Sequence, residues 1–204
     1  MDDRQLRDEI ITLLIAGHET VASALTWTWY LLARHPVERE RLSAELDAVL
    51  AGRALSAGDL PNLPYTQRVF DEALRLYPPA WIITRKALGE DEVLGFPVRK
   101  GSLLVLSPYT LHRHPAFWED PERFDPSRFT PEQASARPRY AYFPFGAGPR
   151  LCIGDSFARF EAGLILASIA RRFRLDLLPG QSVQVEALVT LRPKHGLKMV
   201  LHPV

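Results

Sequence analysis

From Asp3 to Arg34 the sequence runs without a proline and closes at His35-Pro36, so it reads as one long helix. About thirty residues at 1.5 Å each make a rod of roughly 45 Å. Its second half, "ASALTWTWYLLA", is apolar on every face and needs neighbours all round. Ile10 to Ala33 is long enough to cross a bilayer, but His18 and Glu19 sit near its middle. A charge at mid-membrane costs roughly 2.5–3.5 kcal/mol, so a buried helix of a soluble protein is the better reading. The rest of the chain must then build a helical core around this rod. With 204 residues, 47% of them hydrophobic, it has the material.

The pattern after the rod is helical, then mixed. Val37 to Leu50 is amphipathic, with Leu42, Leu46, Val49 and Leu50 on one stripe, and Tyr65 to Leu76 is a further helix closed by "YPP". Trp81 to Leu106 breaks into short strand-like runs around turns such as "LGFPVRKG". His112 to Phe145 is rich in proline and aromatic residues with little periodicity, which predicts a long ordered meander. Asp155 to Phe173 is a strong helix, and the tail beyond Pro179 reads as strands. A single domain over 1–204, mainly α with small β-sheets, is expected.

A net charge of +1 argues against a nucleic-acid partner. One cysteine cannot form an internal disulfide, and the opening "MDDRQLRDE" is unlike a signal peptide, so a cytoplasmic protein is expected. That cysteine, Cys152, lies in "PFGAGPRLCIG". Gly146 and Gly148 permit positive φ, so the backbone can coil before the sulfur. A long helix follows, whose free N–H groups and dipole favour an anionic thiolate. Gly154 keeps the first turn bare, and Arg150 adds a fixed charge. Such a loop suits a thiolate on a metal, with the arginine placed for an acidic group of the same cofactor. A buried free cysteine is the alternative.

"FGAGPRLCIG" resembles the haem-binding signature of the cytochrome P450 family, Phe-x-x-Gly-x-Arg-x-Cys-x-Gly, at Phe145, Gly148, Arg150, Cys152 and Gly154. The resemblance implies that Cys152 is the proximal ligand of haem iron, with Phe145, Gly146, Gly148 and Gly154 shaping its loop and Arg150 pairing with a propionate. Arg85, in "IITRKA", matches the strand arginine that contacts a haem propionate in many members of the family. On the opposite haem face the family's oxygen-activating segment corresponds to "AGHET", Ala16 to Thr20. Gly17 costs about 1 kcal/mol relative to alanine inside a helix, and room for dioxygen is a reason for it. Thr20 can bond back to the Ala16 carbonyl, and Glu19 with Thr20 forms an acid–alcohol pair for proton delivery. A small-residue helix contact is the alternative there. A zinc-protease reading fails, because the second histidine would fall at Ala22. Val21 departs from the family's commonest Thr or Ser.

"EALR" matches the family's Glu-x-x-Arg helix at Glu72 and Arg75. Of the meander arginines Arg123 and Arg128, the resemblance favours Arg128 as their third partner. Substrate contacts are implied at Leu14 to Thr20, at Ala80, Trp81, Ile82 and Ile83, and at Leu188, Val189 and Thr190. His112 and His114 receive no ligand role, and Trp27 and Trp29 are expected in the core.

The implied activity is that of a haem-thiolate monooxygenase. It takes dioxygen and a small hydrophobic substrate, with electrons from NAD(P)H through a ferredoxin or flavoprotein reductase docking near groups such as Arg172. The resemblance covers nearly the whole chain but only the C-terminal half of a family member, from the central helix onward. The chain is therefore expected to be a fragment or a truncated product that binds haem weakly alone, its anchor, if any, lying outside it. A non-catalytic truncated chain and a peroxide-driven enzyme are the competing expectations.

Overall fold

The computed structural model describes all 204 residues. Helices α1 (Asp3–Arg34), α2 (Pro36–Leu50) and α3 (Pro64–Leu76) lead into strands β1 (Ile83–Lys86), β2 (Asp91–Val93), β3 (Phe96–Val98) and β4 (Leu103–Leu106). Short helices α4 (Pro108–Leu111) and α5 (Pro131–Ala136) follow, then α6 (Asp155–Ala170) and strands β5 (Phe173–Leu177), β6 (Val185–Ala187), β7 (Leu191–Pro193) and β8 (Met199–Pro203). Three short 3-10 turns cover Ala57–Asn62, Pro126–Phe129 and Gly148–Arg150.

Local chemistry explains the helix ends. Asp2 and Gln5 form a capping box at the start of α1, Asp2 Oδ1 accepting the Gln5 N–H at 2.7 Å. Proline occupies the first position of α2 and α3, where no intrahelical N–H is needed. The Glu45 carboxylate of α2 accepts the Tyr65 and Thr66 N–H groups at 2.6 and 2.8 Å, an anion placed against the positive end of α3.

The core lies where α1, α2, α3 and α6 meet. Trp27, Leu31 and Leu32 of α1, Leu42, Leu46 and Leu50 of α2, Val69 and Phe70 of α3, and Leu166 of α6 are all buried in it. Small residues let α6 approach closely: a Cβ on Gly163 would stand 3.0 Å from Gln67 Nε2 and 3.3 Å from Leu60 Cδ2. Trp27 is 1% exposed and stacks on Tyr77 at 4.0 Å between ring centroids. Only the second half of α1 is enclosed. Ile10, Leu13, Leu14 and Ile15 stand exposed, although α1 as a whole is long and apolar enough to cross a membrane.

The sheets are four antiparallel pairs: β1 with β4, β2 with β3, β5 with β8, and β6 with β7. Leu94 and Gly95 join β2 to β3 at φ 52° and 85°, the left-handed pair that a two-residue hairpin demands. Ala187 pairs with Leu191, so Leu188, Val189 and Thr190 form the tip of a second hairpin.

The structure differs from the sequence expectations in two places. The helix expected to run to Phe173 stops at Ala170, and Phe173 opens β5, where pairing with β8 overrides helical propensity. The meander also holds α5, whose N-cap Thr130 and first-turn Pro131 make a local start that aperiodic hydrophobicity hides.

Candidate active site

Cys152 sits in a loop closed on itself. Gly146 and Gly148 have φ of +76° and +68°, and Leu151 donates to the Gly148 carbonyl at 3.0 Å. The Cys152 N–H then donates back to the Phe145 carbonyl at 3.0 Å, and the Asp155 N–H meets the Cys152 carbonyl at 3.4 Å. The thiol is exposed. A Cβ on Gly154 would stand 3.8 Å from the sulfur, so the bare glycine leaves that flank clear. Arg150 is exposed beside it, and Arg85, exposed on β1, bonds only to the Thr84 carbonyl. The alternative of a buried thiol is excluded.

A second group of residues gathers around α1. Thr20 Oγ1 donates to the Ala16 carbonyl at 2.7 Å. Beside Gly17 a Cβ would meet nothing within 4 Å. Glu19 and Thr20 do not bond to each other; Glu19 Oε1 accepts from Thr190 Oγ1 at 2.7 Å instead. Ser23 Oγ and Trp27 Nε1 both donate to the Leu191 carbonyl, at 2.7 and 2.8 Å. Glu19, Ser23 and Trp27 recur at four-residue spacing, so one stripe of α1 holds the base of the β6–β7 hairpin. On the hairpin's other side Leu191 donates to the Pro79 carbonyl, and Trp81 Nε1 donates to the Leu188 carbonyl at 2.9 Å. Ile83 reaches the cysteine loop, its Cδ1 lying 3.7 Å from where a Gly146 Cβ would be. Ala80 is exposed and Ile82 half-buried next to them. Pairwise contacts thus link α1 at Glu19 to the 188–190 tip, the tip to the 80–83 segment, and that segment to the cysteine loop. Thr190, only 4% exposed, is the acid's partner, and a separation of 171 residues gives the sequence no way to announce it.

Behind the loop, Arg75 and Glu72 are both 0% exposed. Arg75 donates to Glu72 Oε2 and Oε1 at 2.6 and 2.8 Å, and to the carbonyls of His112, Pro121 and Arg123 at 2.8, 2.7 and 3.0 Å. Every guanidinium N–H is used. Burial pushes the Glu72 carboxyl upward, while Arg75, the Asp125 N–H and Arg128 oppose it. Arg128 Nε lies 3.5 Å from Glu72 Oε1, whereas the Arg123 side chain is two-thirds exposed and faces Asp125. His112 is buried, and its Nε2 accepts the Phe143 N–H at 3.0 Å. Burial, and then the neighbouring Arg75 charge, push it down to about 3, so it is neutral. Two clefts, of about 360 and 440 Å³, lie elsewhere, and neither is lined by the cysteine loop or the Gly17 turn.

The fold thus presents a solvent-facing thiol on a glycine-bent loop at the start of α6, together with a fully buried Glu-x-x-Arg pair on α3. The family profile described as Cytochrome P450 matches residues 1–199. Cyclooctatin synthase of Streptomyces melanosporofaciens is 49% identical over 203 residues, covering 100% of this chain and 44% of that protein. Pentalenene oxygenase of Streptomyces avermitilis is 42% identical, covering 98% and 45%. Among solved structures, the cytochrome P450DA haem domain superposes with a TM-score of 0.94 at 35% identity, and a retinoic acid-bound cyanobacterial enzyme, CYP120A1, with 0.95 at 38%. Each covers all of this chain, which spans 46% and 47% of theirs. The chain belongs to the cytochrome P450 family and has the fold of its C-terminal half. It spans a little under half the length of these relatives.

Haem is the cofactor this family implies, and the residues present fit it. The thiol is unencumbered, its loop supplies two glycines without side chains on the approach, and Arg85 and Arg150 have no carboxylate partner that would compete for a propionate.

Proposed function

We propose that residues 1–204 form part of a single cytochrome P450 domain, a haem-thiolate monooxygenase acting on a small hydrophobic substrate. One oxygen atom of dioxygen enters the substrate, and the other leaves as water with two protons and two electrons. The electrons come from NAD(P)H through a ferredoxin or flavoprotein reductase. The observation that carries the reading is the exposed Cys152 thiol, fixed by its own N–H to the Phe145 carbonyl at the mouth of α6.

Bound haem would supply the oxygen-activating iron. Cys152 would hold it, with Phe145, Gly146, Gly148 and Gly154 shaping the seat and Arg85 and Arg150 placed to pair with the propionates. Ala16 and Gly17 would leave room on the facing side, in keeping with the open space beside Gly17. Thr20, whose hydroxyl now rests on the Ala16 carbonyl, can turn to pass a proton inward. Glu19 would leave Thr190, take a proton from solvent and pass it on to Thr20, so the acid and the alcohol meet only when the side chain swings. Ala80, Trp81, Ile82, Ile83, Leu188 and Val189 line the substrate side, and their apolar character suits a hydrophobic molecule. The relatives named for pentalenene and bound to retinoic acid point the same way. A cytoplasmic location fits this reading.

The test is haem titration of the chain, both alone, where weak binding is expected, and joined to the N-terminal half of a family member, followed by reduction under carbon monoxide. A thiolate-type band that disappears in Cys152→Ser is expected. The same band in the serine variant, or haem bound without that band, refutes the ligand assignment. Peroxide-supported turnover by the loaded protein separates an active enzyme from a chain that only binds haem.

A further inference from the structure

Arg159 has no part in the roles above, yet it touches both arms of the cysteine loop. Its guanidinium carbon stands 5.0 Å from the Phe145 ring centroid, on the incoming arm. Its Nε lies 2.7 Å from Asp155 Oδ1, on the outgoing arm. Those two residues also flank the sulfur in the hydrogen-bond pattern: Phe145 offers the carbonyl that accepts the Cys152 N–H, and Asp155 the N–H that meets the Cys152 carbonyl. Arg159 Nη1 lies 2.5 Å from Asp71 Oδ1 on α3. Tyr142 donates its hydroxyl to the same Asp71 oxygen at 2.9 Å, which fixes the carboxylate's direction. Asp71 adjoins Glu72, the acid buried against Arg75. A single planar cation therefore joins the start of the loop, its end and the helix that anchors the meander.

We propose that Arg159 is a positioning residue for Cys152, setting the pose and hydrogen bonding of the sulfur, with Asp71 and Tyr142 holding Arg159 in place. The inference rests on Cys152 being the haem ligand. Arginine suits the task because its fork engages two carboxylates while its face lies on an aromatic ring. Lysine offers a point charge and cannot do all three. Burial disfavours the Arg159 charge, but the Asp71 carboxylate, with Tyr142 and Asp155, more than offsets this and raises its pKa.

The test compares the parent chain with Arg159→Met, Arg159→Lys and the milder Tyr142→Phe, which removes only the hydroxyl on Asp71. In the haem-free chain, amide hydrogen exchange is followed at Cys152 and, as a control on the fold, in the β5–β8 pair. Arg159→Met should speed exchange at Cys152 about fivefold to fiftyfold, as expected for losing a partly desolvated cation–π contact and ion pair. The control should stay within about twofold. Lysine and Tyr142→Phe should fall between. In the haem-loaded protein the Arg159→Met carbon monoxide spectrum should move from the thiolate band toward the neutral-thiol band, with a shifted midpoint potential. Cys152 exchange that rises no more than the control, or a band and potential matching the parent, would reduce Arg159 to packing between α3 and α6 and overturn the proposal. A parent chain that binds haem without a thiolate band defeats the ligand reading instead, and the exchange data then still decide whether Arg159 holds the loop.

Discussion

Replacing Arg75 by methionine removes a side chain with no solvent exposure and five hydrogen bonds. Three of those go to the carbonyls of His112, Pro121 and Arg123, and orphaning a buried acceptor costs about 1 kcal/mol or more. The other two neutralise Glu72, and leaving a buried carboxylate without its partner costs about 3–5 kcal/mol. The expected loss is therefore about 6–8 kcal/mol, a large part of the 5–15 kcal/mol that holds a typical domain together. Adding Glu72→Leu should return part of it, because the buried carboxylate is gone, while the three carbonyls stay unpaired and Arg128 loses the carboxylate 3.5 Å from its Nε. The double-mutant cycle should give a coupling of about 3 kcal/mol. Urea unfolding followed by circular dichroism and by tryptophan fluorescence measures all four proteins, with Trp118 reporting locally from 4.9 Å above the Arg75 guanidinium. An Arg75→Met chain within about 1 kcal/mol of the parent, or a double mutant equal to the sum of the singles, would refute this account of the buried pair.

His112 should make stability depend on acidity. Its pKa falls from 6.5 to about 3 on folding, so between those values the unfolded chain binds more protons and stability drops as pH falls. At pH 4 the loss is about 3 kcal/mol. His112→Gln, which keeps an acceptor for the Phe143 N–H, should flatten the pH 4–7 stability curve, and an unchanged slope would discount the histidine. Gly17→Ala adds a methyl into open space inside a helix, so it should stabilise the chain by about 0.5–1 kcal/mol in thermal or urea unfolding. A loss of stability would mean that the space beside Gly17 is filled.

Much of the fold was legible because its signals are local. The proline-free run to Arg34, the stripe through Leu42, Leu46 and Leu50, and the proline-bounded Pro64–Leu76 segment each carry their own start and stop chemistry. The cysteine loop was legible for the same reason, since glycine, arginine and cysteine crowd into ten residues. Arg159 was not singled out from the sequence, because nothing in its spacing points to Asp71, 88 residues earlier. The bond between Glu19 and Thr190 was hidden in the same way, and it changes the chemistry: a pair read as adjacent in sequence is held apart by a partner near the other end of the chain. The end of α6 was misjudged because the pairing of Phe173 with Pro203 depends on residues 30 positions on.

The bonds from Glu19, Ser23 and Trp27 to Thr190 and Leu191 have a consequence for diversification. Leu188 and Val189, 51% and 89% exposed, project beyond two residues riveted to the long helix. What those side chains are can change while the backbone beneath them keeps its place. A library varied at these two positions alone should therefore remain folded across nearly all members, giving a surface that can be retailored without rebuilding the protein under it.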